Sequence, residues 1–128
     1  MINKIGQIML YVNNQEESKK FWTEKLGFEV ILDETNGPMR FIELAPKGAA
    51  TSIVLHNKEL VAQMNPEMNL GTPSLMFFSD NFDQLNRELK DKNVTVGDIV
   101  EIPGGRVFNF ADGENNYFAV MEKGNKIE

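Results

Sequence analysis

Ile8, Leu10 and Val12 alternate with Gln7, Met9 and Tyr11 near the start of the chain. A period of two predicts a strand, here with both faces largely occupied. Asn13-Asn14 breaks the alternation and offers an N-cap for a helix over Gln15 to Leu26. Phe21, Trp22 and Leu26 form its apolar stripe, with Glu16, Glu17, Lys19 and Lys20 towards water. Gly27 ends the helix. Phe28 to Leu32 predicts a strand, Asp33 to Pro38 a turn, Met39 to Ala45 a strand, Pro46 to Ala50 a turn and Thr51 to His56 a strand. Lys58 to Met64 suits a short helix, and Pro66 to Pro73 a loop with a turn at Asn69-Leu-Gly71.

The pattern then starts again. Ser74 to Ser79 predicts a strand, Asp80 or Asn81 a cap, and Phe82, Leu85 and Leu89 fall at helical spacing. Val94 to Val96, Ile99 to Ile102, Arg106 to Phe110 and Tyr117 to Glu122 complete the strands, and Asp112-Gly-Glu-Asn-Asn116 is the polar turn of the last hairpin. Laying Gly6-Gln-Ile-Met-Leu-Tyr-Val-Asn-Asn14 over Pro73-Ser-Leu-Met-Phe-Phe-Ser-Asp-Asn81 pairs Gln7 with Ser74, Met9 with Met76 and Asn14 with Asn81. A repeat of about half the chain implies two supersecondary modules that complete a core together. They run over about 1–60 and 72–123, and the last few residues read as a tail.

Composition narrows the function classes. At 128 residues and 41% hydrophobic content, residues 1–128 are expected to make a single domain, each half being too small to bury its own apolar face. A net charge of −6 argues against a nucleic-acid partner, which needs clustered Lys and Arg. With no cysteine, disulfides, thiolate nucleophiles and cysteine metal sites are excluded. No apolar run approaches the ~20 residues that span a bilayer, so no membrane partner is expected. Met1-Ile-Asn-Lys-Ile leads into a strand and not into a signal-peptide core, which makes a cytoplasmic protein the plain expectation.

Three stretches carry a family resemblance. Gln7 to Asn14 followed by Ser18-Lys-Lys-Phe-Trp-Thr-Glu-Lys-Leu-Gly-Phe28 is one, and Ser74 to Leu89 the second. The third is Gly105-Arg-Val-Phe-Asn-Phe-Ala-Asp-Gly-Glu-Asn-Asn-Tyr-Phe-Ala-Val120, which is similar to a closing hairpin with Gly113 where proline is usual. Together they resemble the vicinal oxygen chelate superfamily of glyoxalase I, extradiol dioxygenases and bleomycin-binding proteins. The resemblance implies an α+β fold of two βαβββ modules whose curled mixed sheet surrounds a cavity. It also implies a homodimer, with ligands held in grooves between protomers in the bleomycin-binding branch.

In metalloenzymes of this kind the ligands are usually His or Gln, Glu, His and Glu. The resemblance places those four positions on Gln7, Val54, Ser74 and Ala119. Val54 and Ala119 have no side-chain donor and a neutral Ser74 is a poor one, so neither a metal nor another cofactor is expected. Strand parity instead draws a wall: Met9 and Tyr11 follow Gln7, Met76 and Phe78 follow Ser74, and Tyr117 and Met121 flank Ala119. An apolar, aromatic wall with a few polar points suits a small-molecule ligand, whereas the plainer alternative is a filled core.

His56, the one histidine, shares a face with Val54 and is a candidate ligand contact or proton carrier; a half-exposed strand-end histidine is the bland alternative. Glu43 is a second candidate base. Arg40 and Arg106 offer guanidinium forks for an anionic ligand, against solvated strand faces or dimer salt bridges. Asp112 suits a turn better than chemistry. The expected function is metal-free binding of a drug-like or aromatic molecule, with sequestration as its purpose. The alternative is a glyoxalase- or dioxygenase-like enzyme whose metal site is displaced or absent.

Overall fold

Each half of the chain builds one mixed sheet. The computed structural model describes residues 1–123, and the expected C-terminal tail lies outside them. The chain divides into two compact units, Met1–Pro73 and a second beginning at Ser74.

In the first unit β1 (Gln7–Val12) leads into α1 (Gln15–Lys20), and β2 (Glu29–Asn36), β3 (Met39–Ala45), β4 (Ser52–Asn57) and α2 (Lys58–Met64) follow. The sheet order is β1-β4-β3-β2, with β1 parallel to β4 and the other pairs antiparallel. Leu10, Val12, Ile42, Leu44, Ile53 and Leu55 are buried, and register puts them on one face. Burying such a side chain contributes about 1.5–3 kcal/mol. The helix covers this face: Gln15 Nε2 donates to the carbonyls of Arg40 (2.7 Å) and Leu55 (2.9 Å).

Asn14 caps α1, its side chain accepting from the Glu17 N–H at 3.0 Å. The helix expected to run to Leu26 instead changes after Lys20 into a π-helical turn over Phe21–Lys25. Trp22, fully buried, packs its ring 5.0 Å from Phe28, and the Phe28 N–H closes the segment on the Trp22 carbonyl at 3.0 Å. Gly27, at φ +75°, makes the exit in a conformation that a β-carbon disfavours.

The turn expected over Asp33 to Pro38 is also corrected. β2 continues to Asn36, and only Gly37-Pro38 turn. Asp33 stays in the strand because Lys19 and Arg40 hold its carboxylate.

In the second unit β5 (Met76–Ser79) leads into α3 (Phe82–Asp91), then β6 (Thr95–Val96), β7 (Val100–Ile102), β8 (Gly105–Ala111) and β9 (Tyr117–Glu122). The order is β5-β9-β8-β6, with β7 pairing β8 further along, and β5 is parallel to β9. This repeats the first unit's topology, with β6 and β7 sharing the place of β2. Phe108, Phe110, Phe118 and Val120 are buried on one face with Phe82 and Leu89 of α3. The strand expected from Ser74 begins two residues later, at Met76, although the Leu75 carbonyl already accepts from the Ala119 N–H.

The repeat reaches the ion pairs. Arg40 bonds Glu16 of α1 (3.0 Å) and Asp33 (2.8 Å); Arg106 bonds Asp83 of α3 (2.9 Å) and Glu122 (2.9 Å). Glu16 and Asp83 each stand two residues beyond the paired Asn14 and Asn81. Both arginines, weighed as ligand clamps or dimer bridges, therefore tie a helix to its own sheet. Asp112 builds its turn, accepting from the N–H groups of Glu114 (2.9 Å) and Asn116 (2.8 Å).

Candidate ligand-binding site

The face of the first sheet opposite α1 gathers the residues that parity selected. Cross-strand register sets Gln7 beside Ser52, Met9 beside Val54 and Tyr11 beside His56, while Glu43 pairs with Val54 from the other side. Side chains directly opposed across a ladder share a face. Met9 is exposed, Tyr11, Phe41, Glu43 and His56 are half-buried, and Val54 and Ser52 are buried.

Two clusters form there. The Glu43 carboxylate accepts from Ser52 Oγ at 2.6 Å and from Gln7 Nε2 at 3.3 Å, both on Oε2. The His56 ring stacks on Tyr11 at 5.5 Å, meets Phe41 edge-on at 5.6 Å and sets Nε2 3.2 Å from Met9 Sδ. Burial holds the imidazole below its ordinary pKa, because desolvation disfavours the cation. No hydrogen bond joins His56 to Glu43, so the two proposed bases do not form an acid–base pair. Phe41 and Ser52 were missed from the sequence, although counting by twos back from Glu43 and Val54 reaches both.

In the second unit Met76 pairs with Ala119 and Phe78 with Met121. Tyr117 lies on the same face of β9, opposite Ala111 of β8. Met76 (46%), Tyr117 (60%) and Phe78 (70%) are well exposed. Ser74 is exposed ahead of the strand. Met9 opposite Val54 and Met76 opposite Ala119 are the same position in the two modules, which supports pairing Gln7 with Ser74.

The family model for the glyoxalase/bleomycin resistance protein/dioxygenase superfamily matches residues 4–120. The chain belongs to this superfamily. YetH, an uncharacterized protein of Bacillus subtilis, is 32% identical over 124 residues, covering 95% of this chain and all of the relative. Among solved structures, TnmS3, an antibiotic binding protein from Streptomyces sp. CB03234, is similar with a TM-score of 0.82 at 29% identity, over 94% of this chain and 96% of that one. A glyoxalase/bleomycin resistance protein from the same Streptomyces strain has a TM-score of 0.76 at 28% identity, over 92% and 99%. The α+β fold of two βαβββ modules is thus that of the superfamily.

The donor set does not fit the metal that the superfamily's metalloenzymes carry. At the four ligand positions only Gln7 has a usable donor, and its amide is bonded to Glu43. Val54 and Ala119 have none, and Ser74 has only a neutral hydroxyl. Among the described residues no three His, Cys, Asp or Glu side chains converge as a metal site would require. Among them also, no helix is long and apolar enough to cross a membrane.

Proposed function

We propose that this protein binds a small, partly aromatic organic molecule without a metal ion and sequesters it. The first sheet's open face carries this reading: Tyr11, Phe41 and His56 supply ring surface, while Gln7, Ser52 and Glu43 supply directional polar contacts beside it. Few polar groups set in apolar surface is the usual composition of a small-molecule site. TnmS3, whose own ligand is an antibiotic, is a precedent on the same fold.

Met9 and Val54 on the first sheet, and Ser74, Met76, Phe78, Tyr117 and Ala119 on the second, belong to the same reading as contact residues. So does a homodimer in the cytoplasm. Phe78 and Tyr117 leave large apolar rings in water, which a second copy would cover. Static light scattering at micromolar concentration is expected to give twice the chain mass, and a monomer would remove the dimer from the proposal.

The binding test is thermal unfolding with a panel of aromatic antibiotics, each measured with and without EDTA. At least one compound is expected to raise the midpoint, equally in both conditions, and Tyr11→Ala should reduce that rise. Binding abolished by EDTA and restored by one divalent ion would refute the metal-free reading.

A further inference from the structure

The open face of the first sheet has a charge asymmetry that its rings alone do not explain. Arg40 is the only lysine or arginine in β1 to β4, and it lies on the opposite face, engaged by Asp33 and Glu16. The open face carries three carboxylates: Glu43, and, on the edge strand β2, Glu34 and Glu29, which register sets beside Phe41 and Ala45. Glu34 and Glu29 are exposed at the sheet edge, whereas Glu43 is half-buried in the third strand and held in place.

Both of Glu43's donors fall on Oε2, and neither takes Oε1. A carboxylate fixed through one oxygen keeps lone pairs on the other for an incoming donor. The neighbouring rings favour the same partner, because a cation is attracted to an aromatic face. An anionic ligand would meet three carboxylates there and no lysine or arginine from the four strands.

We propose that Glu43 is the specificity-determining residue of this face, selecting cationic aromatic ligands whose positive charge is shared by an N–H donor, with Ser52 and Gln7 as the residues that aim its carboxylate. The inference rests on the proposed small-molecule function and adds the ligand's charge. A charge-assisted hydrogen bond from that N–H to Oε1 would fix the orientation in which the aromatic part meets the rings.

The test uses two planar tricyclic fluorophores of similar size, 9-aminoacridine, a cation at neutral pH, and acridone, which is neutral. Fluorescence titration is run on the wild type, Glu43→Gln, Ser52→Ala, Tyr11→Ala and the charge control Glu17→Gln, exposed on α1 across the sheet. Thermal unfolding confirms that each variant is folded. The wild type is expected to bind the cation about tenfold or more tightly than the neutral ring system. Glu43→Gln should erase that preference by weakening cation binding at least about tenfold more than it weakens acridone binding, and Glu17→Gln should preserve it. Ser52→Ala, which keeps the charge and loosens its aim, should give a partial loss, and it carries the test if Glu43→Gln does not fold. Tyr11→Ala should weaken both probes.

Equal affinities in the wild type, or a preference that survives Glu43→Gln, would overturn the charge inference and leave the aromatic-binding function standing. Binding of neither probe, or binding indifferent to Tyr11→Ala, would count against the binding face itself and take this inference down with it.

Discussion

Val54→Glu returns a carboxylate to a position where metalloenzymes of the superfamily carry a ligand, and its consequences follow from the strand register. Val54 is 6% exposed and stands between Met9 and Glu43 on the adjacent strands. Removing the valine forfeits about 1.5 kcal/mol of apolar burial, partly recovered by the new methylenes. The larger cost is a second carboxylate beside Glu43 at a site with little water, which brings the total to about 2–4 kcal/mol near neutral pH. For a chain of this length that lowers the unfolding midpoint by roughly 10 °C.

The new carboxyl's folded pKa would lie above its unfolded value of about 4.3, since burial and a like charge both favour the neutral form. The folded state then holds more protons than the unfolded one, so the variant loses stability relative to wild type as pH rises through that window. Differential scanning calorimetry from pH 4 to pH 8 should therefore show the midpoint gap widening with pH. For the neutral Val54→Gln the gap should stay constant. A gap that does not change with pH would mean that position 54 reaches water. A midpoint restored by Zn²⁺, Ni²⁺ or Mn²⁺ in Val54→Glu alone would mean that the face retains enough donors to hold an ion, which would refute the donor count argued for Gln7, Val54, Ser74 and Ala119.

The single histidine gives an unambiguous NMR signal, and His56 should titrate below the ordinary value of about 6.5. In that window the unfolded chain binds the extra proton, so stability falls as pH drops from about 6.5 towards the folded pKa, and His56→Gln should flatten this part of the curve. Asp33, held well below the carboxylate range first by Arg40 and then by Lys19, stabilises the fold above its unfolded pKa of about 3.9. Asp33→Asn should cost about 1 kcal/mol at pH 7 by urea unfolding, a figure kept small because the pair is partly solvated, and the deficit should shrink as pH falls below 4.

The repeat was legible because topology and side-chain parity are both written in periods of two and 3.6. Met9 and Met76, 67 positions apart in sequence, occupy the same place opposite Val54 and Ala119. What the sequence hid was set by contacts between distant residues. Asp33 reads as a turn former by composition, and the strand keeps it only because Lys19 and Arg40 neutralise it. The π-helical turn at Phe21 has no periodic signature, since it is fixed where Trp22 must meet Phe28. Arg40 and Arg106 gave the same ambiguity, because a guanidinium fork suits a ligand carboxylate and a helix carboxylate alike.

That last ambiguity bears on how the two faces of each sheet divide their work. On the helix side Arg40 meets Glu16 and Asp33, and its counterpart Arg106 meets Asp83 and Glu122, so the same brace stands in both modules. On the open side the modules differ: Glu43 opposite Val54 corresponds to Asn109 opposite Ala119. A neutral amide at 109 cannot supply the fixed charge that a carboxylate supplies at 43. Any preference for charged ligands should therefore reside in the first module, and Asn109→Ala should leave the selectivity between 9-aminoacridine and acridone within about twofold of wild type, where Glu43→Gln abolishes it. Equal loss from both substitutions would mean that selectivity comes from the overall acidity of the chain instead of one aimed carboxylate.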